Sequence, residues 1–209
     1  MAPMPSPEPH PPSPDSALLA RHGAALLTIA RAAVEHGIGR GRAPEVDPGR
    51  YPADLRTARA TFVTLKLAGR LRGCVGSYRA QAPLVEDVTA NAYAAAFEDN
   101  RFAPIGRDEF DVLDISISLL SRPERIAVAS EADLLSRLRP GVDGLIIGQG
   151  RRRAVFLPEV WDMLQHPREF LAHLKAKAGF DEDYWSETMR VERFTTCSVG
   201  ISEEPAAAG

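Results

Sequence analysis

Cysteine is scarce in this chain: Cys74 and Cys197 are its only two. Two cysteines make no disulfide framework, and their number suits a reducing compartment where thiols stay free. Positive charge is not in excess either. Lys and Arg total 25 against 28 Asp and Glu, for a net charge of −3, whereas a general nucleic-acid binder is usually basic. No apolar run reaches the ~18 residues of a membrane span. The first residues lack a basic segment followed by an apolar one, so they do not read as a secretory signal. These gaps together predict a cytoplasmic protein that binds neither nucleic acid nor membrane.

What is present is ordinary for one globular core: 44% hydrophobic and 25% charged residues over 209 positions. "MAPMPSPEPHPPSPDS" holds seven of the 17 prolines. Proline cannot donate to a ladder and excludes helix, so residues 1–15 are expected as a disordered leader. The folded domain is expected over 16–199, with a disordered tail over 200–209. From a cap at Ser16, Leu18, Leu19, Leu26, Leu27, Ile29 and Val34 recur at helical spacing, and Gly37 is the expected end. Residues 38–58 read as loop. "ATFVTLKLAGRLRGCVGS" switches to strand alternation and reads as a hairpin. "PLVEDVTANAYAAAFEDN" reads as a helix with Pro83 at its first position. "DVLDISISLLS" alternates Leu113, Ile115, Ile117 and Leu119 with Asp114, Ser116 and Ser118, the pattern of a half-buried strand. A short helix capped by Ser130 follows, then two strands around a Gly-Gln-Gly turn, a helix broken at Pro167, and one closing strand, "RVERFTTCSVG". This order is not regular βαβ alternation. It predicts an α+β fold with a mainly antiparallel sheet flanked by helices.

The hairpin holds the chemistry. A three-residue loop, Ala68 to Arg70, opposes Leu67 with Leu71, Leu65 with Gly73 and Val63 with Val75, gathering the apolar residues on one face. The other face then carries Thr64 opposite Cys74 and Lys66 opposite Arg72. In that register two cations flank the thiol and depress its pKa. Gly73 and Gly76 let a backbone or a ligand come close. The same residues also fit a buried, inert thiol beside bulge-marking glycines.

Together "FVTLKLAGRLRGCVGS", "PLVEDVTANAYAAAFEDNRFAPI", "LDISISLLSRPE", "DGLIIGQGRRRAVFLPEV" and "EFLAHLKAKAGF" resemble the AMMECR-type domain, whose bacterial and archaeal members are called AmmeMemoRadiSam system protein A. The resemblance covers about residues 17–197, and the "LRGC[IV]G" hexapeptide is its hallmark. It implies an α+β fold of a larger and a smaller subdomain with a cleft between them, and places Leu71 to Gly76 near that cleft. It also implies association with a Memo-like protein, related to extradiol dioxygenases, and with a radical S-adenosylmethionine enzyme. It supplies no substrate, reaction or cofactor. The second cysteine that many prokaryotic relatives carry just before "KAG" is absent from "HLKAKAG", which counts against a two-cysteine redox or metal mechanism.

Two function classes follow. In one, Cys74 is a nucleophile or acid/base acting on a small anionic metabolite held by Arg72, Lys66, Thr64, Gly73, Gly76 and Arg101. In the other, the same face is a non-catalytic docking or adaptor site. Further from the hairpin, Asn91 lies mid-helix, and His173 and Lys177 lie one turn apart on a helix; His173 is the candidate base for Cys74. Arg151 to Arg153 form a charged turn that can bind phosphate. His22 and His36 read as surface or packing residues, and no histidine spacing favours a metal.

Overall fold

A computed structural model describes residues 13–200; residues 1–12 of the leader expected over 1–15, and 201–209 of the tail expected over 200–209, lie outside the described residues. The chain runs α1 (Pro14–Arg40), α2 (Ala53–Arg56), β1 (Ala60–Leu67), β2 (Arg70–Gly76), α3 (Leu84–Phe97), α4 (Arg107–Phe110), β3 (Asp114–Leu120), β4 (Glu124–Arg125), α5 (Glu131–Arg137), β5 (Gly144–Gln149), β6 (Arg152–Phe156), α6 (Pro167–Lys177), β7 (Arg190–Phe194) and β8 (Thr196–Gly200). Short 3-10 turns lie at Pro48–Arg50 and Pro158–Asp162. The architecture is α+β, with two antiparallel four-stranded sheets ordered β2-β1-β3-β8 and β4-β7-β5-β6.

Helix α1 begins earlier than a Ser16 cap implies. Ser13 is the cap, its hydroxyl accepting from the Ser16 N–H at 3.1 Å, and Pro14 fills the first turn. The helix also runs through Gly37 and stops at Gly41, which takes a left-handed φ of 66°. By length and composition alone α1 is apolar enough to cross a membrane. Its Leu19, Leu26, Ala30, Ala33 and Val34 are instead buried in the core, where α1 packs against α3, β3 and β8. Helix α3 adds Leu84, Val85, Val88 and Ala92 to that core, with Pro83 at its cap rather than its first position. Ile117 and Leu119 close it from the sheet. Each fully buried Leu or Ile side chain contributes about 1.5–3 kcal/mol.

The second half has its own core. Trp161 stacks on Phe170 with ring centroids 3.8 Å apart, and Leu134, Leu145, Leu171 and Val191 pack around them. Two strand pairs cross between the halves. The sheet of β3 gives way at Ser121 to β4 in the other sheet, and β7 gives way at Thr195 to β8. "RVERFTTCSVG" is therefore two strands in two sheets, not one. The crossings are tied together: Ser121 N–H donates to the Thr195 carbonyl and Thr195 N–H donates to the Ser121 hydroxyl, each at 2.9 Å. The smaller half is thus held against the larger one, and a cleft opens between them.

Candidate functional site

The hairpin turn is the first determinant of the site. Ala68 and Gly69 both have positive φ, 48° and 76°, giving a two-residue turn rather than the expected three-residue one. Leu67 pairs with Arg70 and Lys66 with Leu71; then the register shifts, and Leu65 pairs with Gly73 and Thr64 with Cys74. Arg72 is the extra residue of a β-bulge. The bulge restores the Thr64–Cys74 and Val63–Val75 pairing but breaks the expected opposition of Lys66 and Arg72. Leu71, expected on the buried face, is 43% exposed.

Arg72 consequently leaves the thiol. Its guanidinium grips Glu109 with two bonds, Nε to Oε1 at 2.7 Å and Nη2 to Oε2 at 2.9 Å, and lies near the Phe102 ring. Glu109 in turn accepts from the Gly106 N–H at 3.1 Å. Arg72 therefore fastens β2 to the start of α4 and is not among the cleft-lining residues. The glycines also serve packing. A Cβ on Gly73 would collide with the Ala95 carbonyl of α3, and one on Gly76 with the Thr61 carbonyl and the Phe62 ring. They admit the protein's own backbone, and neither lines the cleft.

The cleft has a volume of about 780 Å³, within the ~300–1,000 Å³ of small-molecule sites. Its floor is the polar face of the first sheet: Thr64, Lys66, Cys74, Ser116, Ser118 and Ser198. The alternation read in "DVLDISISLLS" sets that floor, since Ile115 and Ile117 point to the core while Ser116 and Ser118 face the cleft. Its opposite wall comes from the second half: Val155, Phe156, Leu157, Val160 and the exposed Met163. Hydroxyls run across the floor to that wall. Ser118 and Ser198 lie 2.9 Å apart, and Ser118 Oγ donates to Glu159 Oε1 at 3.4 Å.

Cys74 is half-buried and its backbone is held from both sides. Its N–H donates to Asp99 Oδ2 at 2.9 Å, and its carbonyl accepts from Arg101 Nη2 at 3.3 Å. Arg101 and Asp99 are themselves paired, Nε to Oδ1 at 2.9 Å and Nη2 to Oδ2 at 2.6 Å. The Arg101 hydrogen bond holds the Asp99 carboxyl well below the usual carboxylate range. Thr64 Oγ1 donates to Cys74 Sγ at 3.4 Å. The thiol pKa is nevertheless raised, not depressed as the expected cation pair predicted. Burial is the largest cause; the Thr64 hydrogen bond and the Arg101 charge oppose it, and the charges of Asp99 and Glu159 reinforce it. Cys74 is therefore a neutral thiol at pH 7.

Arg101 and Lys177 approach from different halves and both line the cleft. Lys177 Nζ donates to the Val155 carbonyl at 3.0 Å and lies 5.1 Å from the Phe156 ring centre. Burial and then the Arg101 charge push its ammonium below the ordinary lysine range. His173 is exposed and does not line the cleft. Asn91 is part-buried at the helix–strand seam, donating to the Thr61 carbonyl and hydroxyl at 3.1 Å and to Asp87 Oδ2 at 3.0 Å. Cys197 packs on the first core, where burial pushes its thiol up to about 11. Among the described residues, no three His, Cys, Asp or Glu side chains converge to hold a metal. The sequence reading missed Asp99, Glu159 and Ser198, and it set Ser116 and Ser118 on a polar strand face without assigning that face to the site; the Asp-Asn-Arg run at the end of α3 was the one local signal for Asp99.

A two-sheet α+β domain with a polar strand face walled by a second subdomain is thus the class to which this chain belongs. Its sequence matches the AMMECR1 family over residues 27–199, and the chain belongs to that family. It is 39% identical over 178 residues to a protein of Methanothermobacter thermautotrophicus, covering 82% of this chain and 90% of that one. It is 34% identical over 185 residues to Protein MJ0810 of Methanocaldococcus jannaschii, covering 85% and 89%. The crystal structure of the uncharacterized protein PH0010 from Pyrococcus horikoshii is similar with a TM-score of 0.77 and 33% identity, over 85% of this chain and 90% of that one.

Proposed function

We propose that the cleft binds a small organic anion with an apolar portion, the charged end meeting Arg101, Lys177 and Lys66 and the apolar part lying along Phe156 and Met163. The observation that carries this reading is the meeting of Arg101 and Lys177 across the cleft. Burial and the neighbouring guanidinium disfavour the charged form of Lys177, and an anion between the two cations relieves both costs. The hydroxyls of Thr64, Ser116 and Ser118 supply the few oriented polar groups that fix a ligand in an otherwise apolar pocket.

A second reading keeps Cys74 as a nucleophile towards that anion. The Thr64 hydrogen bond and the Arg101 charge favour it, since both stabilise thiolate. The adaptor form of the first reading has the bound anion pass to or from a Memo-like protein or a radical S-adenosylmethionine enzyme. Thermal-shift titration with a panel of mono- and dicarboxylates and phosphate monoesters tests the binding reading. At least one should raise Tm in a saturable way, because ligand binding to the native state stabilises it. Lys177→Ala, at an exposed helix position, should weaken that response about 10-fold in concentration, the equivalent of ~1.4 kcal/mol. An equal response in wild type and Lys177→Ala overturns it. Turnover of the bound anion that disappears in Cys74→Ala, with binding kept, selects the nucleophile reading instead.

A further inference from the structure

A second concavity lies away from Cys74, at the junction where the two halves are tied. It has a volume of about 790 Å³ and is bordered by Arg59, Arg79, Arg122, Arg125 and Arg153 against one lining carboxylate, Glu192. No lysine borders it. In a chain of net charge −3, so many guanidiniums around one small concavity is a local reversal of sign. Like charges gathered this way repel, which raises the free energy of the empty site.

The arginines differ in their commitments. Arg59 pairs with Asp15 at 2.8 Å. Arg153 Nη1 donates to the Tyr78 hydroxyl at 3.5 Å, and the guanidiniums of Arg79 and Arg153 lie 5.5 and 5.9 Å from the Tyr78 ring centre. Arg79, Arg122 and Arg125 are exposed and have no ion pair with a carboxylate among the described residues. Guanidinium differs from ammonium in offering a planar fork of donors that matches two oxygens of one oxyanion. Several such forks around a hollow of ligand size favour one compact, multiply charged oxyanion over a scatter of single carboxylates.

We propose that this arginine-lined pocket is a binding site for a small molecule bearing two adjacent phosphate groups, a diphosphate ester or diphosphate itself. Arg79, Arg122 and Arg125 take the phosphate oxygens, while Arg153, held by Tyr78, and Arg59, held by Asp15, form the fixed side of the pocket. Arg59 and Arg79 flank the β1–β2 hairpin of the first sheet, whereas Arg125 and Arg153 lie on β4 and β6 of the second and Arg122 on the crossing segment, so one ligand bridges both halves. Occupancy therefore stiffens the junction that also shapes the Cys74 cleft.

Isothermal titration of the full chain with inorganic pyrophosphate and with ADP tests the site and separates its sources. Saturable binding of either is expected, weaker at higher salt because the contacts are charge pairs at an accessible surface. Tighter binding of ADP than of pyrophosphate assigns the ligand as a diphosphate ester, and the reverse order as free diphosphate. Arg79→Ala and Arg125→Ala, both at exposed positions, should each lower affinity at least 10-fold with apo Tm unchanged or raised, since each removes one of the repelling charges. Arg168→Ala, an exposed arginine outside the pocket, removes the same charge and should bind as wild type does. The proposal is overturned if neither compound binds, if sulfate at equal ionic strength competes equally well, if Arg168→Ala loses as much as Arg79→Ala, or if a single-stranded RNA oligonucleotide binds more tightly than both.

Discussion

Asp99 Oδ2 accepts the amide hydrogen of Cys74 at 2.9 Å, which sets a carboxylate behind the hexapeptide's thiol. The carboxylate stays ionised because Arg101 holds it, so its negative charge acts on the sulfur at every pH of interest. Burial is the main cause that keeps the thiol protonated; the Asp99 charge adds to it, while the Thr64 hydrogen bond and the Arg101 charge oppose it. At pH 7.5 iodoacetamide should therefore modify native Cys74 slowly, and unfolding in guanidinium should accelerate the reaction by roughly 10-fold or more, since a free cysteine has a pKa near 8.5. Mass-spectrometric mapping of the alkylated peptide checks this. Equal native and unfolded rates at Cys74 sink the neutral-thiol description.

Thr64→Val refines the point. The hydroxyl at 3.4 Å is the hydrogen-bond donor that lowers the thiol pKa, and valine removes it while keeping shape. Native alkylation should become slower still, with its pH midpoint moved upward. A faster reaction in Thr64→Val would mean that the hydroxyl shields the sulfur rather than stabilising its anion.

Arg72, although it belongs to the hexapeptide, should behave as a structural residue. Its bidentate grip on Glu109 is largely shielded from solvent on the Arg72 side, and charge-assisted bonds of this kind contribute about 1.5–3 kcal/mol. Arg72→Ala should lower the denaturation free energy by about that amount, while anion titration at the cleft keeps its midpoint. Unchanged stability with lost anion binding would return Arg72 to the ligand.

The contrast between Arg72 and Ser118 shows what local pattern can and cannot give. Ser118 was placed on the polar face of β3 by simple alternation, and it lies there, because an unbroken strand has period 2 and each residue carries its own parity. Arg72 follows the same rule until the bulge; Gly73 beside it is compatible with a bulge but does not fix its position, and the bulge shifts the parity. Its partner Glu109 lies 37 residues away, beyond the reach of any local periodicity. The α+β class and the antiparallel hairpin followed from element order, but "RVERFTTCSVG" gave no local sign of changing sheets at Thr195, where the tie to Ser121 is a long-range contact. Lys177 and Glu159 reach the cleft only through the docking of the second half, so helical spacing around His173 carried no information about them.

Gly73→Ala should be far more damaging than its size implies. The added methyl meets the Ala95 carbonyl of α3, a backbone atom that cannot rotate away. Overpacking of this kind costs typically 1–3 kcal/mol and sometimes more. Gly69→Ala, at a φ of 76° with open space around its Cβ, carries only the left-handed backbone penalty of about 1 kcal/mol. Urea denaturation of the two variants should order them Gly69→Ala above Gly73→Ala; the reverse order would mean that α3 yields freely at this contact.

Asp87 gives the clearest dependence on pH. Its Oδ2 accepts from Thr61 N–H at 2.9 Å, Thr61 Oγ1 at 2.6 Å and Asn91 Nδ2 at 3.0 Å, yet burial outweighs these bonds and raises its pKa from 3.8 to about 6. Between those values the native state binds a proton that the unfolded chain does not, so stability falls as pH rises through that interval and is flat above it. The shift is worth on the order of 2 kcal/mol once partial exposure is allowed for. Wild type should therefore gain stability between pH 6.5 and roughly 4.5 relative to Asp87→Asn, whose amide does not titrate in this range. Asp87→Asn keeps a carbonyl oxygen for the Thr61 donors, so it isolates the charge from the hydrogen bonds, whereas Asp87→Ala would strand the buried Thr61 N–H at a further cost of about 1–3 kcal/mol. Urea midpoints measured across this range should separate for wild type and Asp87→Asn towards neutral pH, where wild type carries the buried charge, and converge towards pH 4.5; parallel curves would mean that the buried carboxyl titrates at its ordinary value.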